Sequence, residues 1–401
     1  MSDTHSPPQK AIGLALSGGG VRAAAFHAGV LRYLAEEGIL EDVAHISSVS
    51  GGSLFAGMVF HLASYSWPTS PAYLSEVFPR FRKTLTTQSL QWSAAARLVF
   101  NPLNWRFVLS RANVLAQTIH GLWGVAARLN TLPRHPVWSI NCTTGETGLR
   151  FRFKNKTMGD YALGYADVDG FSLARAMAIS AAFPGGIGPL TVKTKSFKWS
   201  KREQWGVGEP EAYQPPFKRL HLYDGGLYDN LGIEPMFDLG QQRLKNDDVL
   251  RSCITYLLVS DGGAPLPRKT IPPPLNPFRF KRIADIALSQ TRALRVRAFI
   301  NFLQEHPTSG AYVGIGADAK SSIQRFTKGR EALASELLAQ TWLSPAEAVR
   351  AATYSTNLCQ MTESDFDLLA QHGYETAKWN LKLMHQAHSD SIVNQPSELV
   401  Q

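Results

Sequence analysis

Residues 45–55, HISSVSGGSLF, place Ser47, Ser48, Ser50 and Ser53 around two adjacent glycines. A serine becomes an accessible nucleophile where a strand turns sharply into a helix and the hydroxyl sits at the bend. The backbone comes so close there that the residues two before and two after must be small, as in G-x-S-x-G. Centred on Ser50, those neighbours are Ser48 and Gly52. Centred on Ser48 or Ser53 they include Ile46 or Phe55, both too bulky, and Ser47 falls within the strand. Ser50 is therefore the candidate nucleophile. Ser48 stands where the motif has its first glycine, small enough for the turn to close with slightly more strain. The competing reading is a serine that only caps the helix after it.

A nucleophile needs a place for the charge that develops and a base for its proton. The stretch LALSGGGVRAAAFHAG runs from an apolar strand through Gly18, Gly19 and Gly20 into a helix. Adjacent glycines let amide N–H groups converge, and the helix N-terminus adds partial positive charge, so this is an anion site. The anion is either a phosphate or the oxyanion of an acyl-transfer step. Gly18, Gly20 and Ala23 also satisfy G-x-G-x-x-A, the dinucleotide fingerprint. That fingerprint wants an acid at the end of the second strand, and Glu41 and Asp42 precede the strand instead. Two carboxylates stand at strand ends before paired glycines, Asp224 in YDGGLYDNLG and Asp261 in VSDGG, and local chemistry does not choose between them. None of the eleven histidines sits in a hydrolase-like context. His27 lies on the apolar side of a helix, His45 begins a strand, and His221 faces the opposite side of its strand from Asp224. This favours a Ser–Asp pair over a triad.

The elements that must hold these residues read as α/β. IGLALS is a short buried strand, and VRAAAFHAGVLRYLAEEG is a helix capped by Gly38. HISSVS is a second strand, and Gly52 to His61 a second helix. Strand, tight turn and helix, repeated, predict a parallel α/β sheet. Residues 65–131 break the pattern. They are rich in aromatics (Trp67, Phe78, Phe81, Trp92, Phe100, Trp105, Phe107, Trp123) and read as a helical insertion. Strands resume at VWSINCTT and LRFRF, and SLARAMAISAAF is a small-residue helix ending at Pro184. FKRLHLYDGG and CITYLLVSDGG are further strands, and residues 281–303 form a long basic helix. Residues 1–10 read as a disordered lead, 11–330 as the main domain, 331–385 as helices packed on it, and 386–401 as a flexible tail.

The chain has 401 residues and a net charge of +9. No apolar run reaches the roughly 18 residues of a spanning helix, and the start lacks the features of a signal peptide. Cys142, Cys253 and Cys359 are scattered and match neither a disulfide framework nor a metal spacing. A reducing, cytoplasmic setting fits, and no cofactor is implied. Residues 62–131 hold seven Lys or Arg against Glu76, and residues 265–300 hold eight against Asp285. Such segments point to an anionic partner, nucleic acid or a membrane surface. No nucleic-acid module is recognisable, which leaves the membrane.

SGGGVRA, SVSGGS and DGGLYDNLG, in that order, resemble the patatin-like phospholipases and the related catalytic domain of the cytosolic phospholipases. AMAISAAFP and WSINCTTGETGLRFRF resemble the family's small-residue helix and the strands before it. The resemblance implies a three-layer α/β/α fold with a central, mostly parallel sheet, and a Ser–Asp dyad without histidine. By position, Ser50 is the nucleophile and Asp224 the base. Gly18, Gly19 and Gly20 form the oxyanion hole with Arg22 in support, and Ser48, Gly52, Gly225, Gly226 and Asn230 shape the elbow and the turn. Asp224 is preferred to Asp261 because the family's Asp-Gly-Gly precedes an Asn-containing turn, here ending at Asn230. The implied activity is hydrolysis of lipid esters, with phospholipid as substrate and peripheral contact with an anionic membrane through the basic, aromatic segments. Acyl transfer by the same dyad and an inactive membrane-binding scaffold are the alternatives.

Overall fold

The computed structural model describes residues 11–184, 186–203, 208–245, 254–273, 276, 278–327 and 329–393. The expected lead, Cys253 and residues 394–401 lie outside the described residues. In chain order the strands are β1 (Ile12–Leu16), β2 (Val43–Val49), β3 (Val137–Thr144), β4 (Arg150–Phe153), β5 (Thr157–Asp160), β6 (Gly164–Asp167), β7 (Leu190–Lys193), β8 (Trp199–Lys201), β9 (Glu211–Tyr213), β10 (Arg219–Asp224), β11 (Phe237–Asp238), β12 (Arg243–Leu244), β13 (Tyr256–Asp261) and β14 (Gly310–Gly314). The α-helices are α1 (Gly20–Glu36), α2 (Gly51–Leu62), α3 (Ser70–Ala72), α4 (Phe78–Thr87), α5 (Leu90–Phe100), α6 (Ala112–Leu122), α7 (Leu173–Ser180), α8 (Gly226–Asp229), α9 (Phe278–Glu305), α10 (Ala319–Phe326), α11 (Glu331–Leu338), α12 (Pro345–Thr353) and α13 (Glu363–Val393).

One large sheet carries the site. Its strands β14, β13, β1, β2 and β3 lie side by side and parallel. Beyond β3 it continues antiparallel through β4, β5, β6, β8 and β9. The parallel strands are apolar on both faces because both faces are covered. Leu14, Leu16 and Leu258 pack with α1, α2 and α7 on one side. Ala15, Leu257 and Val259, alternating with them along β1 and β13, pack with Phe299, Phe302 and Leu303 of α9 on the other. Helix, sheet, helix is the α/β/α arrangement the sequence predicts.

The sheet also brings the two strand ends of interest together. The first half of β3 pairs with β2, whose Val49 stands opposite Asn141. On the same edge the second half of β3 pairs with β10, running the other way, with Asp224 opposite Cys142. Strands β2 and β10 thus approach end to end along one edge of β3, and Ser50 and Asp224 sit where they meet.

The insertion is helical, α3 to α6, as expected, and its aromatics divide. Phe81 and Trp123 are buried and Trp67 packs at a tilt against Phe60, whereas Trp92, Phe100 and Trp105 are 67%, 84% and 60% exposed. The basic helix α9 is not a row of free charge. Arg292 pairs with Asp261 at 2.5 Å, and Arg295 with Asp229 at 3.4 Å and Glu234 at 3.2 Å. Helix α13 runs on to Val393, past the expected end at residue 385. Extending a formed helix costs little, so polar residues can follow a packed stretch. Cys142 is buried with its Sγ–H directed at the Phe151 carbonyl, and Cys359 is half-buried.

Candidate active site

Ser50 has φ 50° and ψ −117°. A positive φ at a residue with a side chain costs on the order of 1–3 kcal/mol and persists only where the surroundings fix it. They do so here from every side. A Cβ on Gly51 would stand 2.3 Å from the Gly20 carbonyl oxygen, and one on Gly52 2.4 Å from that of Leu16. A Cβ on Gly18 would meet Asn230 Oδ1 at 2.3 Å and the Ser50 Cβ at 3.1 Å. The glycine loop therefore lies directly against the elbow. Ser50 occupies the N-cap position of α2 yet makes no capping hydrogen bond. Its side chain lies near enough to the Asp224 carboxyl to favour the ionised form.

Asp224 is fully buried, and desolvation pushes its pKa up to about 7, against smaller opposing effects from the Gly226 amide and Ser50. The Gly226 N–H donates to Oδ1 at 2.7 Å. Among the described residues no cation pairs with this carboxyl, so burial acts with little opposition. Asp261 is its opposite. Arg292 Nε (2.9 Å), the Tyr312 hydroxyl (2.6 Å) and the Gly263 amide (2.9 Å) all bind it, which makes it a strand-end tie.

The buried histidines are accounted for elsewhere. His27 Nε2 faces the Ser17 carbonyl at 3.0 Å and so carries the proton, while Nδ1 accepts from Ser260 Oγ at 2.6 Å. Desolvation lowers its pKa to about 4 and that of His45, bonded to Ser139, to about 3. His221 pairs with Glu146 at 2.6 Å on an exposed face.

The amides near Ser50 differ in their availability. Gly18 N–H donates to the Asn230 carbonyl at 3.0 Å, so Gly18 supplies clearance for the loop and not a donor; this corrects the sequence reading. The N–H groups of Gly19, Gly20 and Gly51 have no hydrogen-bond partner among the described residues. The last two open α1 and α2, and a Cβ on Gly51 would lie 2.7 Å from Gly20 N. Two helix N-termini thus converge beside Ser50, where backbone N–H groups and macrodipoles favour negative charge.

The Arg22 guanidinium braces the glycine loop. Nε donates to the Gly262 carbonyl (3.0 Å), and Nη1 to the Tyr354 carbonyl (2.6 Å) and Thr356 Oγ1 (2.7 Å). Desolvation lowers its pKa to about 10. Next to it the Val21 N–H donates to the Asn357 carbonyl at 3.0 Å. A segment more than 300 residues downstream thereby ties the start of α1 in place.

Ser180, which the sequence reading missed, links Ser50 to the Asp224 strand end. Its Oγ–H donates to the Asn141 carbonyl (2.6 Å), and the oxygen accepts from the Ser50 amide (3.0 Å). Its carbonyl accepts from Gly225 N, and that of Ala182 from Asp224 N. With the Ser180 proton committed, the rest of the chain is directed: Trp138 Nε1–H to Ser48 Oγ (2.8 Å), Ser48 to Ser53 (2.8 Å), Ser53 to Ser180 (2.8 Å). Ser48 is thus a member of a fully paired buried chain. The small-residue helix containing Ser180 was the only sequence signal for it.

Among the described residues no group of three His, Cys, Asp or Glu is placed to hold a metal ion.

The family model for patatin-like phospholipase matches residues 14–237. No curated protein sequence matches the chain. Among solved structures it is similar to human GIVD cytosolic phospholipase A2, with 14% identity, 96% of this chain and 63% of that chain covered, and a TM-score of 0.53. The same human protein in complex with methyl gamma-linolenyl fluorophosphonate gives 14% identity, 96% and 60% coverage, and a TM-score of 0.50. The chain therefore spans less than two thirds of the length of these structures, and the likeness concerns the fold.

Proposed function

Because the chain belongs to the patatin-like phospholipase family, a family of lipid hydrolases, we propose that it cleaves carboxylic esters of lipids, phospholipids foremost, through a Ser50–Asp224 dyad and an acyl-enzyme. The observation that carries this reading is the strained Ser50 placed beside a buried Asp224 that has no cationic partner among the described residues. A base with a pKa near 7 is ionised enough at neutral pH to act, and basic enough to take a proton from an attacking hydroxyl.

In the first half-reaction Asp224 accepts the hydroxyl proton as Ser50 Oγ attacks the ester carbonyl. The oxyanion forms against the amides of Gly19, Gly20 and Gly51. Loss of one such donor typically costs about 100-fold or more in rate. Collapse expels the alcohol, which takes the proton back from Asp224. In the second half, water loses a proton to Asp224, attacks the acyl–serine ester, and releases the fatty acid. Asp224 serves as base and acid in turn, so no imidazole is needed. Arg22, Ser180 and Asn230 act on the loop and strand ends, and touch no reacting atom.

Contact with the lipid surface is assigned to the tip of the insertion, residues 92–109. Trp92, Phe100, Leu103, Trp105 and Leu109 are exposed there beside Arg97 and Arg106. Aromatic side chains settle at headgroup depth, and each Arg adds about 1 kcal/mol near an anionic surface. No helix among the described residues is long and apolar enough to cross a membrane, so the assigned contact is peripheral. The functional test is hydrolysis of a dispersed phospholipid and of a soluble ester by the wild type, Ser50→Ala and Asp224→Asn. The reading requires both variants to fall by at least a hundredfold on both substrates; equal rates in wild type and Ser50→Ala would refute it.

A further inference from the structure

Between α5, α6 and the first turn of α7 lies an open-sided cavity of about 470 Å³. Arg97 of α5, His120 of α6 and Arg175 of α7 line it together with Asn113, Gln117 and Ser172. No carboxylate lines it. Among the described residues none of the three basic side chains has an ion-pair partner, whereas Arg82, Arg292, Arg295, Arg350 and Lys382 each have one. Two of the basic groups are seated by their neighbours. Arg97 Nη2 lies against Gly121, 2.8 Å from the position of a Cβ there. The Arg175 guanidinium lies over the Phe171 ring, 4.9 Å from its centroid. The Ser172 hydroxyl, at the N-cap of α7, makes no capping bond and is available to a ligand.

Cations brought together without an acid repel one another unless an anion joins them. The planar donors of arginine suit phosphate oxygens, and the helix N-terminus behind Ser172 adds to the same field. The same insertion decides the source of the phosphate. Phe107 lines the cavity, and in the stretch around it Phe100, Leu103 and Leu109 are 84%, 74% and 87% exposed, and Trp105 60%. A free phosphate would leave these apolar side chains in water, whereas a lipid surface would cover them.

We propose that this cavity binds the phosphate headgroup of an anionic membrane lipid while the exposed apolar side chains of residues 100–109 enter the surface. It rests on the membrane part of the function proposed above and not on the hydrolytic part. Helix α7 connects the two places. Its first turn lines the cavity and Ser180, its last residue, holds the Ser50 amide, roughly 8 Å further along the axis at 1.5 Å per residue. The lipid in the cavity therefore docks the molecule beside the acyl site without sharing a residue with it.

The test is binding of the full chain, carrying Ser50→Ala in every sample, to vesicles of phosphatidylcholine with and without phosphatidic acid. The parent is expected to prefer the phosphatidic acid vesicles. Arg97→Gln with Arg175→Gln should lower affinity for them about thirtyfold, the worth of two basic residues at an anionic surface. Arg268→Gln with Lys269→Gln, exposed and far along the chain, removes the same charge and should cost much less. Equal losses in the two pairs, or no loss in the first, overturn the site. If inorganic phosphate raises the melting temperature of the parent but not of the Arg97/Arg175 pair, while vesicle composition has no effect, the ligand is a free phosphate and the lipid assignment falls. A lowered melting temperature for the first pair is met by His120→Gln alone, which must weaken phosphatidic acid binding in a stably folded chain. Since no sample can turn over, failure here is distinct from failure of the soluble-ester test.

Discussion

Replacing Ser48 by glycine would restore the G-x-S-x-G spelling around Ser50, and the structure predicts that it harms the protein. If Ser48 were a strained substitute for glycine, Ser48→Gly would relieve strain and stabilise. In the structure its Oγ accepts from the buried Trp138 Nε1–H at 2.8 Å and donates to Ser53, which donates to Ser180. Removing it leaves the indole N–H unpaired in a site that is 6% exposed, at about 1–3 kcal/mol. A glycine within β2 adds roughly 0.5–1 kcal/mol of backbone entropy. Together these come to about 2–4 kcal/mol, and Ser48→Ala should lose only the first part. Urea unfolding with a fixed m-value reads both. Because Ser180 positions the Ser50 amide, kcat should fall in Ser48→Gly while KM changes little. A Ser48→Gly protein as stable as the wild type, or more so, would refute the hydrogen-bonded chain as the reason for serine at this position.

Other consequences concern the base, the brace and the surface. Hydrolysis of a soluble ester should be slow at pH 5, rise through about pH 7 as Asp224 ionises, and level off above; a profile flat across that range would exclude Asp224 as the base. The folded carboxyl holds its proton more tightly than the ordinary value of 3.8, so its penalty is absent below about pH 4 and grows until about pH 7. Asp224→Asn should therefore gain stability relative to wild type over that window, by up to roughly 4 kcal/mol in denaturant titrations at a series of pH values. Arg22→Met leaves the Gly262 and Tyr354 carbonyls short of a donor, and should lower both unfolding stability, by about 2–4 kcal/mol, and kcat. Trp92→Ser with Phe100→Ser should reduce pelleting with anionic vesicles without altering the melting temperature, as both side chains are exposed.

What the sequence reveals about this site follows from how local each constraint is. The sharp turn at Ser50 excludes bulky neighbours within two residues on either side, so four serines reduce to one on the page. The α/β class is similarly legible from apolar strands closed by glycines. Asp224 and Asp261 look alike in sequence because their difference is tertiary: among the described residues Asp261 has Arg292 and Tyr312 against it, and Asp224 the Gly226 amide and no cation. Arg22 is legible as a neighbour of the glycine loop, but its partners Tyr354 and Thr356 lie more than 300 residues away. Ser180 and the Gly51 amide escape for the same reason, since only the folded chain shows which donors are already engaged. The insertion aromatics were indistinguishable by composition; packing buries Phe81 and Trp123 and leaves Trp92 and Phe100 in water. The short antiparallel strands β5 to β9 have three or four residues each, too few to display a period.

The central claim is that Ser50 is the nucleophile and Asp224 activates it. A fluorophosphonate ester, which phosphonylates an activated serine, tests this without any choice of lipid substrate. Intact-mass measurement should show one adduct on the wild type, located by peptide mapping to the segment containing Ser50. The adduct should be absent from Ser50→Ala and should form at least a hundredfold more slowly in Asp224→Asn. Labelling of Ser50→Ala at the wild-type rate, or of Asp224→Asn at an unchanged rate, would contradict the account.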